Sequence, residues 1–117
     1  MNAPSIIDLS TFEALKESMG ADFINDLVQA YFEEIPQLLS KLQQALARQD
    51  CDLFRQAAHS IKSTSNSFGA LEFGARAKEL EMLGREARLD GAAGKVEALV
   101  RDYELVQKNL EELCHGQ

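Results

Sequence analysis

Apolar residues recur at intervals of three and four positions along most of this chain. Such spacing places them on one face of an α-helix and is typical of amphipathic helices that pack on one another. No segment alternates apolar and polar residues over the length of a β-strand, so the pattern predicts an all-α protein. The longest apolar series lies in the second predicted helix and comprises Ile24, Leu27, Val28, Tyr31, Ile35, Leu38, Leu42, Ala45 and Leu46.

Capping residues and glycines predict where the helices begin and end. Asp8 or Ser10 is expected to cap a short first helix that ends at Gly20, and Asp50 or Asp52 to cap the third. Residues 1–7 are expected to form a loose lead in which Ile6 and Ile7 could tuck against the core, and residues 114–117 are expected to fray. The second helix is expected over about 22–48, the third as far as Phe68, the fourth from Leu71 through Ala87, and the last over about 92–113.

Pro36 lies inside the second predicted helix. Proline removes a backbone donor, but the apolar series continues in phase beyond it, so a kink is expected and not a stop. Phe23, Phe32 and Leu39 fall off the centre of this series. Two interpretations stay open for them: packing against neighbouring helices, or a patch on which a partner docks.

Short predicted loops between long helices favour an up-down four-helix bundle, with the short N-terminal helix over one end. The whole chain, residues 1–117, is expected to form this single domain. Gly74, Ala75, Ala77 and Gly84 are small residues that would let the fourth helix approach its neighbours closely.

Composition narrows the range of functions. The net charge is −7, and without a basic patch neither nucleic acid nor an anionic membrane is an expected partner. No signal peptide or long apolar run is present, which favours a cytoplasmic location. Cys51 and Cys114 lack metal-ligand spacing and are expected to be ordinary thiols. With only two histidines, no metal site is expected either.

The outer face of the third predicted helix is unusual. Four polar residues lie within roughly 60° of the His59 imidazole on a helical projection: Arg55, Lys62, Ser63 and Asn66. Small side chains stand where a surface helix usually carries long charged ones. This suggests that something large must approach the imidazole closely.

The residues around His59 favour covalent attachment of a phosphoryl group to the ring. A neutral imidazole is a nucleophile, Lys62 could neutralise an attached anion, and Ser63 and Asn66 could donate hydrogen bonds without blocking access. A serine–histidine dyad with Ser60 or Ser63 lacks an oxyanion hole and an orienting carboxylate within sequence reach. No nucleotide-binding motif or Mg²⁺-binding acidic cluster is visible, so donor and acceptor chemistry must come from other proteins.

One segment resembles the signature of the histidine-containing phosphotransfer (HPt) domains of bacterial phosphorelays. It is Ala58-His59-Ser60-Ile61-Lys62-Ser63, followed by Asn66 and Gly69-Ala70, and the resemblance extends over essentially the whole chain. It implies that His59 accepts the phosphoryl group and that Lys62 lies beside it. Ser63 occupies a position that glycine or another small residue usually holds in the family. Gly69 matches the turn glycine, and Asn66 matches a position where the residue is often small or polar.

The resemblance also implies the partners. These are receiver domains of hybrid sensor kinases and response regulators, which supply Mg²⁺ and the phosphorylated aspartate, while this chain is expected to have no ATP site or cofactor of its own. A monomer is expected, although the regular apolar spacing of the last helix leaves weak homodimerisation open. Phe12, Phe23 and Leu27 are expected docking residues, although they could equally belong to the core. The alternative function is a helical adaptor that binds receiver domains without being phosphorylated.

Overall fold

The computed structural model describes residues 6–114, and the predictions made for residues 1–5 and 115–117 lie outside this part of the chain. Ile7 is fully buried in the core and Ile6 is exposed, while Cys114, expected to fray, belongs to the last helix. Between residues 6 and 114 all regular structure is helical, which confirms the all-α prediction. None of these helices is long and apolar enough to cross a membrane. The helices are α1 (Leu9–Met19), α2 (Ala21–Arg48), α3 (Cys51–Ser67), α4 (Leu71–Arg85) and α5 (Ala93–Cys114).

Two aspartates fix the starts of α1 and α3. The Asp8 carboxylate accepts hydrogen bonds from the backbone N–H of Thr11 at 3.0 Å and from its hydroxyl at 2.6 Å. The Asp50 carboxylate accepts one from the backbone N–H of Leu53 at 3.1 Å. Each bond satisfies a donor that the first helical turn leaves without a partner. Of the alternatives considered, Asp8 and Asp50 are therefore the caps.

The fourth helix is shorter than predicted, because it ends at Arg85 and not near Ala87. Ala87 has a φ of 56°, in the left-handed region, and it is exposed and not part of the inner face. A residue in this conformation cannot continue a right-handed helix. Leu89 in the following loop is buried instead.

The four long helices form a closed ring in which α2 packs on α3, α3 on α4, α4 on α5, and α5 on α2. Their apolar faces meet in one core, as an up-down bundle requires. The short helix α1 packs on α2 and α3. The backbone N–H of Asp8 donates to the carbonyl of Gly69 at 2.8 Å, which ties the start of α1 to the α3–α4 turn.

The three large apolar residues of α2 that fall off the centre of its apolar series have different environments. Leu39 is buried and Phe32 is partly buried against the core, so both pack on neighbouring helices. Phe23 is 49 % exposed. The helix continues through Pro36 as predicted, while the expected kink stays a prediction.

Helices α3 and α4 approach each other at two glycines of α4. A Cβ on Gly84 would lie 3.0 Å from the backbone nitrogen of Arg55, and a Cβ on Gly74 would overlap the amide of Asn66. Ala77, between these glycines, is fully buried. The prediction of close approach is therefore confirmed for these three residues, whereas Ala75 faces solvent.

Candidate functional site

His59 lies near the middle of α3, and its side chain is 53 % exposed. The opposite face of the same helix is buried and holds the ring's position; it consists of Phe54, Ala57, Ala58, Ile61 and Ser65. Ser63 and Asn66 are exposed near His59, and Arg55 and Lys62 are half-buried. Local helical geometry therefore places the predicted residues of α3 together on one outward face.

The structure adds a carboxylate to this face. Oε2 of Glu81, on α4, lies 2.9 Å from Nδ1 of His59, and Oε1 lies 2.8 Å from Nζ of Lys62. A guanidinium nitrogen of Arg85, one turn further along α4, is 3.5 Å from Oε2. The Glu81 side chain is only 5 % exposed. One buried carboxylate thus joins the histidine to two cationic side chains.

No carboxylate lies close enough to His59 along the chain to orient it, and Glu81 was not among the residues predicted for the site. Glu81 is 22 positions away in the chain, so its contact with His59 depends on how α3 and α4 pack. A local signal did exist, because Glu81 lies on the buried face of α4 beside Ala77, Leu80 and Gly84. A charged residue on a buried helix face has to be paired or hydrogen-bonded.

Glu81 is held in its ionised form. Burial raises the pKa of this carboxyl, but the hydrogen bonds and charges of Lys62 and His59 together outweigh burial and leave the pKa below its ordinary value. A carboxylate with this environment is negatively charged at neutral pH and can only accept hydrogen bonds.

The charge of Glu81 decides which ring nitrogen of a neutral His59 carries the proton. Since an ionised carboxylate only accepts, Nδ1 must donate and therefore carries the hydrogen. Nε2 then holds the lone pair, on a ring that is half exposed to solvent. A ring nitrogen with a free lone pair can act as a nucleophile, and the bond at Nδ1 orients the ring.

The other α3 residues predicted for the site have structural partners as well. The Arg55 guanidinium donates to Asp52 at 2.8 Å on the same helix. The Asn66 side chain lies over Gly74 of α4. Gly69 has a φ of 92°, and a Cβ there would lie 2.7 Å from the carbonyl oxygen of Asp8, so this turn requires glycine. Gly69 is buried and contributes to the site only by allowing the turn between α3 and α4.

The three predicted docking residues do not share one environment. Phe12 is 2 % exposed and belongs to the core, so its assignment to a docking surface is corrected, because a buried ring offers no area to a partner. Leu27 is partly buried against the core. Phe23 is exposed and lines a cleft with Met19 at the α1–α2 junction.

Between residues 6 and 114 there is no group of three or more histidine, cysteine, aspartate or glutamate side chains that could hold a metal ion. Glu81 is already committed to His59, Lys62 and Arg85. The cluster around Glu81 consists of one histidine, one buried anion and two cations.

Comparisons with known proteins identify the family of this chain. The crystal structure of histidine-containing phosphotransfer protein B (HptB) from Pseudomonas aeruginosa PAO1 is similar over 99 % of both chains, with a TM-score of 0.90 and 27 % sequence identity. Histidine-containing phosphotransfer protein 4 of Arabidopsis thaliana is 25 % identical over 101 residues, which are 85 % of this chain and 80 % of that protein. The Hpt domain family matches residues 26–115. The chain therefore belongs to the Hpt domain family and is a phosphorelay intermediate.

Proposed function

We propose that His59 is the residue on which this phosphorelay intermediate carries the phosphoryl group. The observation that supports this most strongly is the 2.9 Å contact between Nδ1 and the buried Glu81 carboxylate. It directs the lone pair of a neutral ring to Nε2 on an exposed face. A histidine with its other nitrogen bonded to a carboxylate is oriented as a nucleophile before any partner arrives.

The transfer step needs no proton movement. The lone pair of Nε2 attacks the phosphorus of an aspartyl phosphate in a donor receiver domain. As the N–P bond forms, the P–O bond to the aspartate breaks and its electron pair returns to the aspartate carboxylate. The imidazole becomes a phosphoimidazolium that keeps its proton on Nδ1, and Glu81 stabilises the new positive charge. Transfer to an acceptor aspartate reverses these changes.

Lys62 and Arg85 supply positive charge beside the reacting group. Both contact Glu81, at 2.8 Å and 3.5 Å, so the two cations together exceed the single carboxylate by one positive charge. This excess offsets part of the negative charge that arrives with a phosphoryl group. Ser63, exposed one turn after His59, keeps the approach free for an in-line attack.

The remaining chemistry belongs to the partners. The receiver domains of hybrid sensor kinases and response regulators supply the phosphorylated or accepting aspartate and its Mg²⁺, and the chain acts as a monomer with no ATP site of its own. Phe23 and Met19, both exposed at the α1–α2 junction, are the apolar residues that we assign to docking. A location in the cytoplasm stays a prediction.

Transfer of ³²P from a phosphorylated receiver domain tests the assignment. We expect acid-labile label on the wild-type protein and on His115→Gln, which removes the other histidine of the sequence, and none on His59→Gln. Label on His59→Gln would contradict the assignment. Receiver binding by a wild-type protein that never becomes labelled would favour the adaptor function, and labelling by ATP alone would contradict the absence of an ATP site.

A further inference from the structure

The charged groups around His59 come from two helices. On α3 they are Lys62 and Arg55, the latter already paired with Asp52 at 2.8 Å. On α4 they are Glu81 and Arg85. No ion pair within residues 6–114 joins His59 to α1 or α2, the other helices that pack on α3. Of all these groups, only the Glu81 carboxylate bonds the imidazole directly.

A phosphoryl group would change the balance of charge in this cluster. Before phosphorylation the cluster has one carboxylate and two cations, a net charge of one positive unit. A phosphoryl group brings roughly one to two negative charges. The ring would then lie between a phosphoryl anion on Nε2 and a carboxylate on Nδ1. Because Glu81 is only 5 % exposed, solvent screens its charge poorly.

Resting on the assignment of His59 as the phosphorylated residue, we propose that Glu81 holds the proton on Nδ1 of phosphohistidine and thereby keeps the phosphoryl group transferable above neutral pH. This goes beyond orienting the ring, since a neutral hydrogen-bond acceptor could do that. The negative charge itself is required, because it stabilises the imidazolium form. Glu81 is a positioning residue that acts through the leaving group and does not touch the phosphorus.

The protonation of Nδ1 decides how easily the N–P bond breaks. When an acceptor carboxylate oxygen attacks the phosphorus, the electron pair of the N–P bond returns to Nε2. From a ring protonated at Nδ1, the leaving group is neutral imidazole. From a deprotonated ring, the leaving group would be an imidazolate anion, which is much more basic and leaves poorly. Holding the Nδ1 proton to higher pH therefore extends the pH range of transfer.

A ³¹P NMR titration of the phosphorylated protein measures this proton. The phosphoryl group is loaded by a phosphorylated receiver domain and, in separate samples, by phosphoramidate. In Glu81→Gln the amide can still accept a hydrogen bond from Nδ1, but the charge is gone. We expect its titration midpoint to be lower than that of the wild type by about one pH unit or more. Its transfer rate should begin to fall at a correspondingly lower pH.

Two further variants complete the test. Glu79→Gln removes the same charge from a neighbouring exposed position of α4, where Glu79 pairs with Lys95 at 3.4 Å, and should titrate like the wild type. Lys62→Gln removes a cation and should move the midpoint upward, which keeps the proposal testable if Glu81→Gln fails to fold. Equal midpoints in Glu81→Gln and the wild type would overturn the proposal, as would a downward shift in Lys62→Gln.

Failure of this inference differs from failure of the assignment of His59. If receiver domains load the wild type but Glu81→Gln has an unchanged midpoint, only the role of the Glu81 charge is wrong. If phosphoramidate loads His59 and no receiver domain does, the proposed function is wrong. The NMR titration of the chemically loaded protein still decides whether Glu81 holds the Nδ1 proton.

Discussion

Gly84 of α4 lies directly against the backbone of Arg55 in α3, so closely that an added Cβ would be 3.0 Å from the nitrogen and 3.1 Å from the Cα of Arg55. Both of these atoms belong to a helix backbone, which cannot rotate away as a side chain can. Glu81 lies one turn before Gly84 on the same helix and contacts His59. The missing side chain of Gly84 thus sets the helix separation at which the carboxylate reaches the imidazole.

Gly84→Ala is therefore expected to weaken both the fold and the site. Moving α4 away from α3 by a few tenths of an ångström would lengthen the bond between Glu81 and His59. We expect a lower urea midpoint and slower phosphoryl transfer from a receiver domain.

Gly94→Ala is the matched control for this prediction. A Cβ on Gly94, in α5, would meet nothing within 4 Å, and alanine is the better helix former by up to about 1 kcal/mol. This variant should be neutral or slightly more stable and should transfer normally. If Gly84→Ala behaves in the same way, the close approach does not control the site.

Ser63→Phe should slow transfer without unfolding the protein. Ser63 is exposed one turn after His59, so a ring there occupies the space through which a receiver domain must approach, while the buried face of α3 is unchanged. Far-UV circular dichroism should match the wild type, and the ³²P transfer rate should fall at least about tenfold. Glu104→Phe, at an exposed position of α5, controls for a new surface ring. Equal transfer rates in the wild type and Ser63→Phe would show that a small side chain at position 63 is not needed for the receiver domain to approach.

The two core tyrosines should respond in opposite directions to loss of their hydroxyl groups. The hydroxyl of Tyr31 forms a buried hydrogen bond with the Ser65 hydroxyl at 2.7 Å, whereas the buried hydroxyl of Tyr103 has no partner among residues 6–114. We expect Tyr31→Phe to destabilise by about 1–3 kcal/mol, because it leaves the Ser65 hydroxyl unpaired, and Tyr103→Phe to be neutral or stabilising. Urea unfolding measures both. A loss of stability in Tyr103→Phe would show that its hydroxyl has a favourable role.

The contribution of Glu81 to stability should depend on pH. The folded protein lowers the pKa of this carboxyl below its ordinary value of 4.5, so the ionised form is favoured in the folded state. Its contribution is fully present above the unfolded pKa and is lost as the pH falls through the lower folded pKa. The wild type should therefore lose more unfolding free energy on acidification than Glu81→Gln does. Urea unfolding at neutral and acid pH measures this difference.

Glu79→Gln serves as the control for that experiment, since it removes one negative charge from the same helix at an exposed position. It reports the general effect of net charge on stability. If the unfolding free energies of the wild type and Glu81→Gln change in parallel with pH, the folded protein does not favour the ionised form of Glu81.

Helix periodicity and the residues around His59 could be predicted from the chain because both are local. Residues 55, 59, 62, 63 and 66 share a helix, so a repeat of 3.6 residues per turn places them on one face whatever surrounds it. The caps could be narrowed to two candidates each, Asp8 or Ser10 and Asp50 or Asp52, because a capping bond joins residues only three positions apart. The end of α4 could not be predicted from the chain, because the apolar spacing extends to Ala87 although the backbone turns there.

The sequence alone determined that this protein is a helical bundle with one histidine on a helix face where small side chains surround it. Only the tertiary structure decided what lies behind that histidine, because the packing of α4 on α3 brings Glu81 to His59, and Arg85 contacts Glu81. It also placed Phe12 in the core and left Phe23 exposed, since spacing along one helix does not show which flank a neighbour covers. The physical reason is the same in both cases: a helical repeat defines faces, but contact between faces depends on the distance and angle at which helices pack.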